Sequence, residues 1–191
     1  MFQRRPFRVL AGVCLAAGLA NAAAEVPRPS PEFAVKLTDG KQILVSQYKG
    51  QVCIVAFILT YCPHCQKAVK VLSTMYKEFN PQGLQVVASA IEDMAAMNVQ
   101  DFVKNFQPPF QVGFDERNPV LDYLQHPAMF KLLMPQLVFI DRQGTIRAQY
   151  SGDDKFFGDD LEKNMRAQIV SLLKEEPASP KKPASARKKA V

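Results

Sequence analysis

Val52-Cys53-Ile54-Val55-Ala56-Phe57-Ile58, followed by Leu59-Thr60-Tyr61-Cys62-Pro63-His64-Cys65-Gln66, is the stretch from which the chain is best read. Seven consecutive apolar residues rich in β-branched side chains are too few for a typical buried helix and predict a central strand covered on both faces. Pro63 suits the first position of a helix, because its missing N–H would have had no partner there. Cys62 then falls at the helix N-terminus, where unpaired N–H groups and the helix dipole favour a thiolate. Two thiols three positions apart in that setting point to disulfide exchange.

Downstream, Ala68, Val69, Leu72, Met75, Tyr76 and Phe79 recur at spacings of three and four, with Lys67, Lys70, Lys77 and Glu78 on the opposite face. That is an amphipathic helix, ended before Pro81-Gln82-Gly83. Residues 84–91 predict a second, parallel-type strand, and Val99, Phe102, Val103 and Phe106 share a helix face that Pro108-Pro109 stops. A short strand at 110–114 and a short helix from Asn118-Pro119 to about Gln125 follow. Residues 136–141, led by Pro135, predict a strand that Arg142-Gln143-Gly144 turns into an antiparallel partner at 145–150. Leu161, Met165, Ile169 and Leu172 mark the last helix. Upstream, residues 33–45 alternate around Asp39-Gly40 and predict a β-hairpin at an edge of the fold. Strands alternating with helices and closing in a hairpin describe an α/β fold, a three-layer α/β/α sandwich with a central mixed sheet and an N-terminal β-hairpin.

A length of 191 residues, 48% of them hydrophobic, supports one core. The net charge of +6 comes from the ends. Arg4, Arg5 and Arg8 lie in the first eight residues and five more bases follow residue 176; removing those eight from 24 leaves 16 against 18 acids. The body is therefore not a basic platform, and no nucleic-acid partner is expected. Residues 1–24 read as a signal peptide: three arginines, an apolar run from Val9 to Ala20 and small residues through Ala24. An uncleaved membrane anchor is the alternative, although the run is about half of what a bilayer span needs. Export to a periplasmic or envelope-associated setting is the expectation. Cys14 lies inside the apolar run and is lost on processing, and Cys53 reads as a small buried apolar residue. Residues 25–32, with Pro27, Pro29 and Pro31, form an extended lead for which no further structure is required. The domain is placed at 33–176. Residues 177–191 hold Pro, Ala, Ser and five bases with no acid, which predicts a disordered basic tail; the alternative to a solvated tail is a weak contact with an anionic membrane surface.

The hairpin around Asp39-Gly40, Tyr48-Lys49-Gly50 before the central strand, Tyr61-Cys62-Pro63-His64-Cys65, Gly83-Leu84-Gln85-Val86-Val87 and Pro135-Gln136-Leu137-Val138-Phe139-Ile140-Asp141 occur in that order. Together they resemble the thioredoxin-like proteins of the TlpA and ResA type, exported thiol-disulfide oxidoreductases, over about residues 30–173. The resemblance implies a thioredoxin-like fold in which Cys62 attacks, Cys65 resolves and Pro135 is a cis-proline facing them. It implies protein thiols and disulfides and a redox protein as partners, and no cofactor beyond the redox-active Cys62–Cys65 pair. Without it, Pro135 would read as an ordinary trans proline starting a strand. Three positions depart from the family pattern. Ala56 stands where thioredoxins often have a buried acid, Tyr61 where the family usually has Trp, and Met134 where a β-branched residue or Thr is common before the proline.

His64 has a functional reading, in which its partial positive charge stabilises the Cys62 thiolate, and a bland one as a solvated spacer. Stabilising the thiolate makes the disulfide more oxidising. The same Cys-Pro-His-Cys sequence occurs in the oxidase DsbA, which the chain resembles only there, whereas the TlpA-like body points to a reductant. A structural zinc site is disfavoured, since it needs four ligands and there is no second Cys-x-x-Cys. A peroxiredoxin is disfavoured because Val55 and Leu59 stand seven and three positions before Cys62, where that family has Pro and Thr or Ser. Glu92-Asp93 and Asp153-Asp154 read as solvated loop charges. The main rival is a Cu(I)-binding chaperone of the cell envelope using Cys62 and Cys65, with Met134 or His64 beside them. A merely structural disulfide is the third reading.

Overall fold

The computed structural model describes residues 24–175; the signal expectation at 1–24, apart from Ala24, and the tail expectation at 177–191 lie outside the described residues. Eight strands form one mixed sheet. In chain order they are β1 (Arg28–Pro29), β2 (Ala34–Lys36), β3 (Gln42–Leu44), β4 (Val52–Ile58), β5 (Leu84–Ala90), β6 (Gln111–Phe114), β7 (Gln136–Ile140) and β8 (Thr145–Tyr150). Their order across the sheet is β1-β8-β7-β4-β5-β6-β2-β3. The central strand β4 pairs in parallel with β5 and antiparallel with β7. The helices are α1 (Pro63–Phe79), α2 (Ala95–Phe106), α3 (Arg117–Leu124) and α4 (Leu161–Lys174).

Every residue of β4 is buried, and the alternation of the strand explains why no polar residue interrupts it. Val52, Ile54, Ala56 and Ile58 join one core with α1, α2 and α4, including Leu72, Val99 and Met165. Cys53, Val55 and Phe57 join a second core on the other face with α3 and the β2–β3 hairpin. There Phe33 meets the Phe57 ring edge-on at 5.3 Å between centroids and Tyr123 at 4.9 Å. The result is the expected three-layer sandwich. The hairpin turns at Gly40, whose φ of +84° suits a residue without a Cβ, and β2 extends the sheet beside β6.

The lead at 25–32 carries structure that its composition did not announce. Arg28 and Pro29 pair with Ile146 and Thr145 of β8 as an edge strand. The Arg28 guanidinium is buried and donates to the Tyr123 carbonyl and to Gln149 Oε1, both at 3.0 Å. No hydrophobic period can reveal a two-residue strand, since its place depends on β8. Among the described residues, no helix is long and apolar enough to cross a membrane.

Candidate active site

The pair of thiols sits where β4 hands the chain to α1. Cys62 is the N-cap residue of α1, with extended backbone angles, and Pro63 is the first helical residue. Cys62 is half-buried, whereas Cys65, one turn into the helix, has 0% exposure. Both are free thiols, and Cys62 packs against the core to which Cys65 belongs. The Leu59 N–H donates to Cys65 Sγ at 3.4 Å. Burial pushes the Cys65 thiol far above its ordinary range; the Leu59 N–H pulls back, while the hydrogen bond to Cys62 and the charge of Glu92 push it further up. An accessible thiol in front of a buried, protonated one suits attack by the first and resolution by the second.

Tyr61 is 67% exposed beside the pair, and Pro63 and His64 face solvent in the first turn of α1. The Met134–Pro135 bond is cis. The register of β7 on β4 sets Gln136 opposite Phe57, so Pro135 lies alongside Ile58, at the end of the sheet that carries the thiols. Met134 and Cys62 pack against the same core. Gly152, just past β8, lies against the Met134 backbone, and its N–H donates to the Leu133 carbonyl at 3.2 Å. The expected site residues Tyr61, Cys62, Pro63, His64, Cys65, Met134 and Pro135 thus share one end of the fold. A hollow of about 300 Å³ opens between this loop and α2, with Tyr61, Thr60, Gln66, Asp101, Phe102 and Phe106 among its walls.

Glu92 corrects the reading of Glu92-Asp93 as solvated loop charges. Its carboxylate is half-buried and accepts the Thr60 N–H at 3.2 and 3.3 Å and the Thr60 hydroxyl as well. The signal was present in the sequence: in parallel register Ile58 meets Ala90, so two residues further on Thr60 meets Glu92. Asp154 also has a partner, accepting the Phe156 N–H at 2.7 Å as a cap. Asp93 is exposed.

A profile of the AhpC/TSA family matches residues 26–149. The chain belongs to the AhpC/TSA family. Within it, the chain is similar to the thiol-disulfide oxidoreductase ResA of Bacillus subtilis, 32% identical over 93 residues, which covers 49% of this chain and 51% of that protein. That match thus spans about half the length of the relative. The ResA of Bacillus thuringiensis subsp. konkukian is 22% identical over 129 residues, covering 68% of this chain and 71% of the relative. Among solved structures, a thioredoxin-family thiol:disulfide interchange protein from Chlorobium tepidum superposes with a TM-score of 0.65 at 20% identity, covering 79% of this chain and 99% of that one. At that identity the superposition establishes the fold, which is thioredoxin-like. The kinship with ResA-type proteins expected from the ordered motifs therefore holds for this AhpC/TSA member.

Proposed function

We propose that the chain is an enzyme, a thiol-disulfide oxidoreductase that exchanges disulfides with protein substrates through Cys62 and Cys65. The observation that carries this reading is the asymmetry of the pair, a half-buried Cys62 at the N-cap of α1 packed on the core that holds a fully buried Cys65 one turn further on. In the reducing direction, the Cys62 thiolate attacks one sulfur of a substrate disulfide, forming a mixed disulfide and releasing the other sulfur as a thiolate. Cys65 then gives up its proton and attacks Cys62 Sγ. The Cys62–Cys65 disulfide forms, the second substrate thiol leaves, and two electrons have passed to the substrate. Run backwards, the same steps oxidise a dithiol. No further cofactor enters. The accessible edge formed by Tyr61 and Met134 beside the thiols suits a protein partner, and a second redox protein returns the pair to its starting state. The arginine-led apolar segment at residues 4–24 supports work in an exported, periplasmic or envelope-associated setting.

Equilibrating the protein with a glutathione series and quantifying the Cys62–Cys65 disulfide by mass spectrometry tests the reading. A reversible titration is expected, and a pair that does not cycle would sink it. A potential near about −270 mV assigns the role of reductant, and one above about −180 mV that of oxidant. The rival Cu(I) chaperone is favoured by one feature, the thioether of Met134 packed on the same core as Cys62. Tight 1:1 uptake of Cu(I) by the reduced protein, weakened in Met134→Leu, together with no exchange activity, would replace the first reading with the second.

A further inference from the structure

We infer that Gln136 is a positioning residue for protein substrates: with Ser151 and the Gly152 N–H it turns the Leu133 carbonyl inward, and so presents the Met134 N–H to a polypeptide partner beside the thiols. The inference rests on the oxidoreductase reading and deepens it, because it names the groups that select a polypeptide disulfide over a small one.

Gln136 is out of pattern in its strand. Paired residues of neighbouring strands share a face of the sheet, and β7 sets Ile140 beside Cys53, Val138 beside Val55 and Gln136 beside Phe57. Ile140 and Val138 join the second core together with those partners on β4. Gln136 continues the same row and is 2% exposed, at a position where an apolar side chain would fit. A buried amide is costly unless its hydrogen-bonding groups are satisfied. Here Gln136 Nε2 donates to the Leu133 carbonyl at 2.6 Å and to Ser151 Oγ at 2.9 Å. A carbonyl can only accept, so the nitrogen of the amide, not its oxygen, faces Leu133.

The other donors come from the exit of β8. Ser151 is the facing residue one step past the β7–β8 pair of Leu137 and Tyr150, and its hydroxyl lies 3.5 Å from the Leu133 carbonyl. The Gly152 N–H donates to the same oxygen at 3.2 Å. Three donors thus converge on one carbonyl. Leu133, Gln136 and Ser151 also line a hollow of about 370 Å³, with His126, Lys131 and Gln149 among its other walls. No side chain fills that space, so hydrogen bonds rather than packing fix the direction of the Leu133 carbonyl.

The rigidity of the peptide unit carries that direction to Met134. The Leu133 carbonyl and the Met134 N–H belong to one planar trans peptide, in which the two groups point in opposite directions. Turning the carbonyl towards Gln136 and Gly152 therefore aims the N–H away from them. Among the described residues, no backbone carbonyl accepts from the Met134 N–H. Met134 packs on the same core as Cys62, so this unpaired donor stands at the end of the sheet that carries the thiols. It fits the carbonyl of an extended polypeptide whose disulfide is presented to Cys62. A small disulfide without a peptide group has nothing to offer it.

Gln136→Met keeps a side chain of similar length and removes both donors. Exchange with a disulfide-bonded protein is measured beside exchange with bis(2-hydroxyethyl) disulfide, which has no peptide group. Q136M is expected to lower kcat/KM on the protein by about threefold to tenfold, within the range that one hydrogen bond contributes, and chiefly through KM. The small disulfide should react within about twofold of the parent rate. The glutathione equilibrium of the Cys62–Cys65 pair should also stay within about twofold, which separates positioning from a change in the thiols themselves. Ser151→Ala is expected to act in the same direction by at least twofold, and Ser151→Thr, which keeps a hydroxyl, to remain within about twofold of the parent. No loss on the protein in Q136M, equal losses on both substrates, or an S151T protein as impaired as S151A overturns the inference. If Q136M does not fold, S151A must still slow the protein substrate at least twofold and spare the small disulfide, and an unchanged rate overturns the inference equally. A parent protein that exchanges with neither substrate refutes the oxidoreductase reading itself, a result distinct from all of these.

Discussion

Replacing Gly152 with alanine tests whether the backbone before Pro135 belongs to the machinery. An ideal Cβ at position 152 falls 2.3 Å from the Met134 carbonyl oxygen, 2.5 Å from its carbon and 2.8 Å from its nitrogen. These are backbone atoms of one residue, so no rotamer change relieves them. Bringing the shortest of them to 3.0 Å, below which real Cβ atoms are essentially never found, requires a displacement of 0.7 Å, the difference between 3.0 and 2.3. The same displacement strains the hydrogen bond from the Gly152 N–H to the Leu133 carbonyl. Overpacking of this kind costs about 1–3 kcal/mol and a weakened hydrogen bond about 1 kcal/mol more. A domain of this size should then lose roughly 4–16 °C in Tm. Function should suffer more selectively. If a protein substrate lies along Met134, a shift of this order can lower kcat/KM by up to about 100-fold. A small disulfide needs only the Cys62 sulfur and should react within about twofold of the parent. The assay compares turnover of a disulfide-bonded protein with turnover of glutathione disulfide at a temperature where G152A is fully folded. Equal losses on both substrates, or no loss on either, would refute the role given to the Met134 edge.

Three further outcomes can be checked. Of Cys53, Cys62 and Cys65, iodoacetamide applied to the native reduced protein near neutral pH should label Cys62 alone, because burial pushes the thiols of Cys53 and Cys65 well above their ordinary range; peptide mapping that finds these three labelled at similar rates would contradict the burial argument. His64→Ala should make the couple more reducing, and a potential equal to the parent's would remove His64 from the redox balance. Asp115 is buried and pushed up to about 6 by desolvation, against the hydrogen bond from Ser89 that pulls it down. The folded protein therefore holds a proton that the unfolded chain releases near pH 3.8, so this group's contribution to stability falls as pH rises from about 4 to about 6 and stays lost above. Asp115→Asn should flatten that window and gain up to about 3 kcal/mol at pH 7, provided the amide oxygen keeps the Ser89 hydroxyl. Denaturant midpoints at pH 4 and pH 7 that move in parallel for both proteins would show the opposite.

The parts legible in the sequence are those governed by local pattern. β4 could be placed because seven buried positions leave no polar residue, and α1 because Pro63 starts it and its apolar face repeats at three and four. The motif Cys62-Pro63-His64-Cys65 brought its own geometry with it. What escaped depends on pairing between distant segments. Arg28–Pro29 became a strand only because β8 offered an edge. The state of the Met134–Pro135 bond followed from resemblance, since the residues themselves favour trans. Glu92 stood between the two cases. It read as a loop acid in isolation, yet counting both parallel strands from their paired residues sets it beside Thr60, so the information was there once the strands were aligned.

Cys53 lies fully buried in β4, between Gln85 of β5 and Ile140 of β7. Cys62 lies nine positions after it and Cys65 twelve, so if an unfolded chain met an oxidant, three sulfurs would be close enough in sequence to pair, over spans of three, nine and twelve positions whose closure entropies differ by about 1 kcal/mol. Only completion of the sheet removes one of them from contention. Wherever an oxidant is present during folding, strand pairing at β4 would have to outrun oxidation, and the order of those two events would decide whether the newly folded molecule emerged competent or misjoined.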